Sequence, residues 1–277
     1  EDLYRPFKEK KKTKATDAIN QGLEPLAKMI MSFPMAGSLE EMAHKFLNDK
    51  VKTVEDAITG AKYIIAEWIS DNASYRKWIR VNTYLYGTIT SKKKKDADDP
   101  NKIYDMYYDY SESVKTIAPH RVLALNRGEK EKVLIVSISF DTNKVMEYLE
   151  KKLIKNPSSF VTDTVKDAIR DSYKRLIEPS IEREIRSELT ERSEVVAIDN
   201  FGKNLEKLLL QPPMKEKMVL GFDPAFRTGC KLAVIDKTGK KIAIEVIYPH
   251  EPVNKYEEAK KKVLDLIEQY KIDIIAI

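Results

Sequence analysis

Apolar residues recur every three or four positions along most of the first 215 residues, a spacing that predicts amphipathic helices. Helix starts are indicated by Ser38 with Glu41 and by Thr53 with Asp56, because both pairs have the spacing of N-terminal capping interactions. The second start is followed by an apolar face made of Ala57, Ile58, Ala61, Ile64, Ile65, Trp68 and Ile69. A further helix is predicted over Ser74–Leu85. The N-terminal region is therefore predicted to be mostly helical.

A strand pattern interrupts this helical region. The segment "KVLIVSISF" at 132–140 is short, rich in β-branched residues and bounded by charges, as strands are. The segment "GTIT" at 87–90 is its predicted partner. Between the two, "HRVLALNR" is predicted to be a short helix that begins at Pro119 and ends before Gly128.

Two long helices are predicted to follow. The first runs from about Ser158 to Ile177 and ends near Pro179, because proline lacks the N–H that a helix interior needs. The second begins at Ser180 and continues to the segment "QPP". There Pro212 and Pro213 stop the helix and mark a domain boundary.

After Lys215 the pattern becomes that of an α/β domain. The runs "KMVLGFD", "TGCKLAVID" and "KIAIEVIYPH" are strand-like, and "KTG" is a hairpin turn between the last two. Asn254 with Glu257 is predicted to open a helix, and "IDIIAI" is a further strand, apolar enough for the middle of a sheet. The order β-β-β-α-β is typical of the beginning of a ribonuclease H-like fold.

We therefore predict an α+β multidomain protein. A mostly α-helical domain would cover residues 1–213, and a truncated RNase H-like α/β domain would cover residues 216–277. The chain begins with Glu1 rather than Met and ends inside a strand pattern. We accordingly expect it to be a piece of a longer polypeptide.

The charge balance predicts local basic patches rather than a uniformly cationic surface. Lys and Arg number 49 against 44 Asp and Glu, which gives a net charge of +5. The densest patch is "KEKKKTK", and such lysines either hold phosphate oxygens without reading sequence or simply form a solvated surface. The candidate nucleic-acid contacts are Lys8, Lys10, Lys11, Lys12 and Lys14, with Arg121, Arg127, Arg227 and Lys231 as secondary candidates.

Other residue types narrow the possible functions. The single cysteine, Cys230, excludes an internal disulfide and favours a cytoplasmic location; it is predicted to be a small buried apolar residue. The three histidines lack ligand spacing, so no metal or cofactor is predicted. The longest apolar run is too short to span a bilayer, so no membrane partner is predicted. The segment "YDMYYDY" either stacks on bases or, as we favour, forms a packed corner.

Asp223 is the one candidate for metal-dependent chemistry, since it ends the first strand of the predicted α/β domain. RNase H-type cleavage needs several carboxylates around two metal ions about 4 Å apart. Asp236 and Asp273 are predicted to lie at the wrong strand ends, and the other ligands would come from beyond Ile277. We therefore interpret Asp223 as a turn-forming residue before Pro224.

Four long stretches resemble the Tex family of bacterial transcription accessory proteins. They are "LYRPFKEKKKTKATDAINQGLEPLA", "APHRVLALNRGEKE", "RLIEPSIEREIRSELTERSE", and "NLEKLLLQPP" running into "VLGFDPAFRTGCKLAVID". The resemblance implies a helical core, an RNase H-like domain of the YqgF type, tandem helix-hairpin-helix units and a C-terminal OB-fold that binds RNA. One position departs from the family, because Ala225 stands where Asp-Pro is usually followed by glycine.

The resemblance implies a nucleic-acid-binding accessory factor of transcription. The partners it implies are RNA or DNA, bound mostly outside this chain, and the transcription machinery. This chain would be mainly a scaffold, with a non-catalytic YqgF-like domain. The alternative is a metal-dependent nuclease or junction resolvase that uses Asp223 in the complete domain. A third interpretation is a platform that binds only proteins.

Overall fold

The computed structural model describes residues 12–212, 214–225 and 228–277. The chain divides into two compact units, Glu1–Gly202 and Lys203–Ile277. The larger unit is mostly helical, and the smaller contains a four-stranded sheet with a helix packed on it. This arrangement confirms the predicted fold class.

The α-helices that begin in the described part of the larger unit are α1 (Lys14–Asn20), α2 (Glu24–Met31), α3 (Leu39–His44), α4 (Val54–Asp71), α5 (Ala73–Tyr86), α6 (Pro119–Lys130), α7 (Thr142–Leu153), α8 (Thr162–Asp171) and α9 (Glu178–Leu209). A side chain caps the start of α1, α3, α4, α5 and α7, but not that of α2, α6 or α8. The Ser38 hydroxyl accepts from the Glu41 amide at 3.1 Å, and the Glu41 carboxylate accepts from the Ser38 amide at 3.2 Å. The Thr53 hydroxyl accepts from the Asp56 amide at 3.1 Å. Both predicted capping pairs are therefore confirmed.

Helix α4 lies at the centre of the helical packing. Helices α1, α2, α3 and α8 all contact it. Its predicted apolar face is buried at Ala57, Ala61, Ile64, Ile65 and Ile69. Each fully buried Ile contributes roughly 1.5–3 kcal/mol of transfer free energy, so this face is a main source of the unit's stability.

The larger unit also contains a three-stranded antiparallel sheet of order β2-β1-β3. Strand β1 (Thr88–Lys93) pairs with β3 (Leu134–Ser139), which confirms the predicted strand pair. The third strand, β2 (Asp109–Ser113), was not predicted. Its sequence, DYSES, has no alternation of apolar and polar residues. One of its two less exposed positions is Tyr110, but the other is the charged residue Glu112.

The predicted end of α6 before Gly128 is wrong, because the helix continues to Lys130. Gly128 is a packing residue there. A Cβ at this position would lie 2.6 Å from Leu134 Cδ1 and 3.1 Å from Tyr104 Cδ1. The glycine thus lets α6 approach strand β3 closely, and it does not terminate the helix.

The predicted break at Pro179 is also wrong. Helix α8 passes through a π-helical segment, Ser172–Ile177, directly into α9. The wider π turn accommodates the ring of Pro179 in the first turn of α9, and it tolerates the loss of the backbone hydrogen bond that proline cannot donate. Helix α7, with the buried residues Val145 and Leu149, was not predicted.

The smaller unit contains the predicted β-β-β-α-β order. Its elements are β4 (Val219–Asp223), β5 (Cys230–Ile235), β6 (Lys241–Ile247), α10 (Tyr256–Tyr270) and β7 (Ile274–Ala276). The sheet order is β6-β5-β4-β7, with β7 parallel to β4 and the other pairs antiparallel. Within this sheet β7 therefore lies at an edge and not in the middle. Helix α10 begins at Tyr256, one residue beyond an N-cap at Lys255, so Asn254 is not the cap.

Candidate nucleic-acid interface and the Asp223 strand end

The lysine cluster is described only at its C-terminal end, since Lys8, Lys10 and Lys11 lie outside the described residues. The Lys12 ammonium is 3.7 Å from the Asp17 carboxylate, and both side chains are well exposed to solvent. The Lys14 ammonium lies 4.7 Å from the centre of the Tyr63 ring, an ordinary cation–π geometry. Exposed pairs of this kind are weak, so these two cations keep the ability to contact phosphate.

Lys14 borders a groove of about 440 Å³ between α1 and α4. The charged residues in its lining are Lys14, Lys50, Asp17 and Asp56. The positive and negative charges balance, so the groove itself offers no net attraction for a polyanion.

Arg121 lies on α6 and is held by an acidic partner. Its guanidinium Nη1 donates to Glu112 Oε2 at 2.9 Å, and the Tyr110 hydroxyl donates to the same oxygen. Desolvation raises the pKa of Glu112, but the hydrogen bonds from Tyr110 and Arg121 outweigh it and leave the pKa below its ordinary value. Burial and the Glu112 acceptor raise the pKa of Tyr110 to about 12. Arg127, in contrast, is exposed on the same helix.

The tyrosine-rich segment forms a packed corner, as favoured from the sequence. Tyr104 is buried, and Tyr107, Tyr108 and Tyr110 pack against the core of the larger unit. Asp99 accepts from the amides of Ile103 and Tyr104 and from the Tyr108 hydroxyl. These hydrogen bonds fix the corner and leave its rings committed to the protein.

In the smaller unit, Asp223 and Lys231 are directly opposite one another on β4 and β5. Both are exposed, and Arg227 lies outside the described residues. Opposite charges directly across a pair of strands attract one another. The end of β4 therefore presents one carboxylate, Asp223, opposite one ammonium group, that of Lys231.

Two other carboxylates, Asp236 and Asp273, are at the opposite end of β4, whereas Glu245 on β6 is paired with Lys262 at 2.7 Å. Asp273 accepts from the Met218 amide at 2.8 Å, just before β4 begins. Asp236 accepts from the Thr238 hydroxyl at 2.7 Å and from the amides of Thr238 and Lys240. These hydrogen bonds, the Thr238 hydroxyl first, hold the pKa of Asp236 below its ordinary value. Both residues are therefore structural acids remote from Asp223.

Residues 12–212, 214–225 and 228–277 contain no group of three or more His, Cys, Asp or Glu residues that could hold a metal ion. A pair of divalent ions requires several converging carboxylates. The described residues thus do not fit the metal pair that an RNase H-like fold implies. Cys230 is fully buried in the core of the smaller unit, which confirms the sequence interpretation.

Comparison with known families decides the relationship. Residues 36–201 match the family model for the Tex central region, and residues 217–277 match the model for the Tex YqgF-like domain. The chain belongs to the Tex family.

Full-length relatives extend well beyond this Tex-family chain. An uncharacterised Bacillus subtilis protein, YdcI, is 55% identical over all of this chain and 39% of its own length. The transcriptional accessory protein Tex of Neisseria gonorrhoeae is 30% identical over all of this chain and 37% of its own length. The human S1 RNA-binding domain-containing protein 1 is 31% identical over 90% of this chain and 26% of its own length. The chain thus spans well under half of each of these relatives. Among the helices of the described residues, none is long and apolar enough to cross a membrane.

Two features of the Tex central region were missed by sequence reasoning. The first is a buried ion network: Arg76, Arg80 and Ser180 all contact the Glu184 carboxylate. The second is a groove between α5 and α7, lined by Trp78, Asn82, Tyr86, Phe140, Lys144, Glu147, Tyr148 and Lys151. Spacings of three and four within each helix signal a shared face, but only the fold shows that the two faces meet.

Proposed function

We propose that the full-length protein is a nucleic-acid-binding accessory factor of transcription, and that this chain acts mainly as its scaffold. The carrying observation is the match to both Tex family models, which together span most of the chain. Relatives named as a transcriptional accessory protein and as an S1 RNA-binding domain-containing protein support the same role. RNA or DNA is the proposed ligand, and the transcription machinery is the proposed protein partner.

The domain boundary and the location belong to the same proposal. We place the helical Tex-like region at 1–213 and the YqgF-like domain at 216–277. A cytoplasmic location fits the single, fully buried Cys230, since a reducing compartment leaves such a thiol free.

The YqgF-like domain is proposed to be non-catalytic. Asp223 stands opposite Lys231, whereas Asp273 contacts the other end of β4. One carboxylate cannot hold the two metal ions that in-line phosphodiester cleavage requires. The nuclease alternative rests on one observation, that Asp223 is exposed at the carboxyl end of the first strand.

The lysine cluster is the proposed electrostatic contact to phosphates, with Arg121, Arg127, Arg227 and Lys231 as secondary contacts. Each neutralised phosphate lowers the slope of log K against log salt by roughly 0.7 to 0.9. Of the secondary residues, Arg121 is already paired with Glu112, so its contribution is expected to be smaller than that of exposed Arg127.

The test is a salt titration of nucleic-acid binding by the full-length protein. Replacing Lys10, Lys11 and Lys12 together with Ala is expected to lower the affinity and to make the salt slope shallower by roughly 2 to 3. A matched variant removes three exposed lysines elsewhere, Lys115, Lys152 and Lys155. No binding by the unmodified protein to single-stranded RNA, single-stranded DNA or duplex DNA would refute the proposed function.

A further inference from the structure

The groove between α5 and α7, here called the Trp78 groove, has two helical walls. Trp78, Asn82 and Tyr86 are spaced four residues apart on α5, and Lys144, Tyr148 and Lys151 are spaced four and three apart on α7. Phe140, at the end of β3, completes the lining. The volume of this open groove is about 390 Å³, which is within the usual range for small-ligand sites.

Three aromatic side chains of the groove pack against one another. The Trp78 and Tyr148 rings are stacked, with centroids 3.9 Å apart and planes within 6°. The Phe140 ring meets Trp78 edge-on at 6.5 Å, and Tyr75 meets Tyr148 edge-on at 6.2 Å. Burial raises the pKa of Tyr148, in keeping with its packed position. Tyr86 is different, because 69% of it is exposed at the mouth of the groove. A flat ring is thus presented to solvent beside a preorganised aromatic stack.

The rim of the groove carries an excess of positive charge. Lys144 and Lys151 are exposed and two helical turns apart, about 10 Å along α7. Glu147 is the one acidic residue in the lining, against these two cations. The groove beside Lys14 has balanced charges and no ring stack. The Trp78 groove therefore combines aromatic rings with spaced cations, and the Lys14 groove does not.

We propose that the Trp78 groove binds single-stranded nucleic acid, with a base stacked on Tyr86 and phosphates held by Lys144 and Lys151. Proteins bind single strands through this combination of ring faces for bases and cations for the backbone. An acidic peptide is the competing occupant. It is less favoured because peptide grooves bind anchoring side chains in apolar pockets, whereas this groove presents the exposed Tyr86 ring beside the two exposed cations Lys144 and Lys151. The inference rests on the proposed nucleic-acid function and assigns it a site inside this chain.

Intrinsic fluorescence offers a reporter at the groove. The sequence contains 2 tryptophans, and Trp68 lies on α4, outside the groove lining. In the Trp68→Phe variant of the 277-residue chain, Trp78 is the sole tryptophan, so its emission can be excited selectively above the tyrosine absorption band. Titration with fluorescein-labelled 20-mers of oligo(U) and oligo(dT) gives binding from anisotropy. Titration with the unlabelled 20-mers reports binding at the groove through the change in Trp78 emission. Comparison of oligo(U) with oligo(dT) distinguishes RNA from DNA. Emission is expected to change in step with binding, while the Trp78→Phe chain, which emits from Trp68, is expected to show no change.

Matched variants separate stacking from charge. Tyr86→Ala is expected to weaken binding roughly 5- to 150-fold, the effect of losing one stacked base, while Phe201→Ala, which removes a similarly exposed ring (68%), should leave it unchanged. Lys144→Ala with Lys151→Ala is expected to make the salt slope shallower by roughly 1.4. Lys152→Ala with Lys155→Ala removes the same charge outside the groove and should have little effect.

Four outcomes would overturn the assignment. The groove would be excluded if anisotropy reported binding without a change in Trp78 emission. It would also be excluded if the full-length protein bound the oligomers and this chain did not. Either result would leave the proposed function standing. An emission change with an acidic, phenylalanine-containing peptide but with neither oligomer would identify a protein-binding groove. No binding by either the chain or the full-length protein would overturn both proposals.

Discussion

Replacing Glu184 with Ala should destabilise the larger unit strongly. The Arg76 side chain is fully buried, and its Nη2 donates to Glu184 Oε1 at 2.5 Å and to the Ser180 hydroxyl at 3.0 Å. Arg80 donates from Nε and Nη2 to the other carboxylate oxygen at 2.9 and 2.7 Å. Without Glu184, the buried guanidinium of Arg76 loses the carboxylate that accepts from its Nη2. Removing one partner of a buried pair costs about 3–5 kcal/mol. Because Glu184 is 31% exposed, we expect a loss near the lower end, about 3 kcal/mol.

The assay is urea unfolding followed by tryptophan fluorescence, since both tryptophans lie in the larger unit. Glu194→Ala removes an exposed acid from the same helix and is expected to change the free energy of unfolding by less than about 0.5 kcal/mol. The decisive variant adds Arg76→Met to Glu184→Ala. Removing the buried charge should restore part of the lost stability, because apolar replacement of a buried pair is often neutral. A loss below about 1 kcal/mol for Glu184→Ala, or a further loss on adding Arg76→Met, would refute the reasoning.

Three further predictions concern packing, pH and charge. Gly128→Ala should destabilise the protein by about 1–2 kcal/mol, because the new methyl overlaps Leu134. Gly202→Ala, with nothing within 4 Å of its Cβ, should stabilise α9 by up to about 1 kcal/mol; equal urea midpoints for the two would contradict this. Glu112 has a lowered pKa, so its contribution is present above its ordinary value of 4.5 and lost as pH falls through the lower folded value. Glu112→Gln should therefore show a shallower acid-induced loss of stability than the unmodified chain, and identical acid profiles would count against the ion pair. Finally, Arg127→Ala should weaken binding of nucleic acid by the full-length protein more than Arg121→Ala; the reverse order in a binding titration would show that the Arg121–Glu112 pair opens.

Periodicity and capping pairs predicted much of the fold because they act locally. The face of α4 and the caps at Ser38 and Thr53 follow from side chains within one or two turns of each other. The errors at Gly128 and Pro179 have a common cause. Each residue usually ends a helix, but here a tertiary feature reverses the preference: a close contact with Leu134 in one case and a π turn in the other.

The candidate site was only partly predictable. The position of Asp223 at a strand end, away from Asp273, followed from strand order alone. The Trp78 groove could not be inferred in this way, because α5 and α7 are separated in sequence by three strands and helix α6. The burial of Arg76 could not be predicted from the sequence, because it depends on Glu184 on α9, a partner more than 100 residues away.

The central claim is that the full-length protein binds nucleic acid without cutting it. The most direct measurement incubates the full-length protein and its Asp223→Asn variant with labelled single-stranded and branched substrates in Mg²⁺ or Mn²⁺. Complex formation and strand length are then recorded for each sample. We predict bound and intact substrate for both proteins, with nearly equal affinity. Cleavage by the unmodified protein that disappears in Asp223→Asn would contradict the account and establish Asp223 as a catalytic residue.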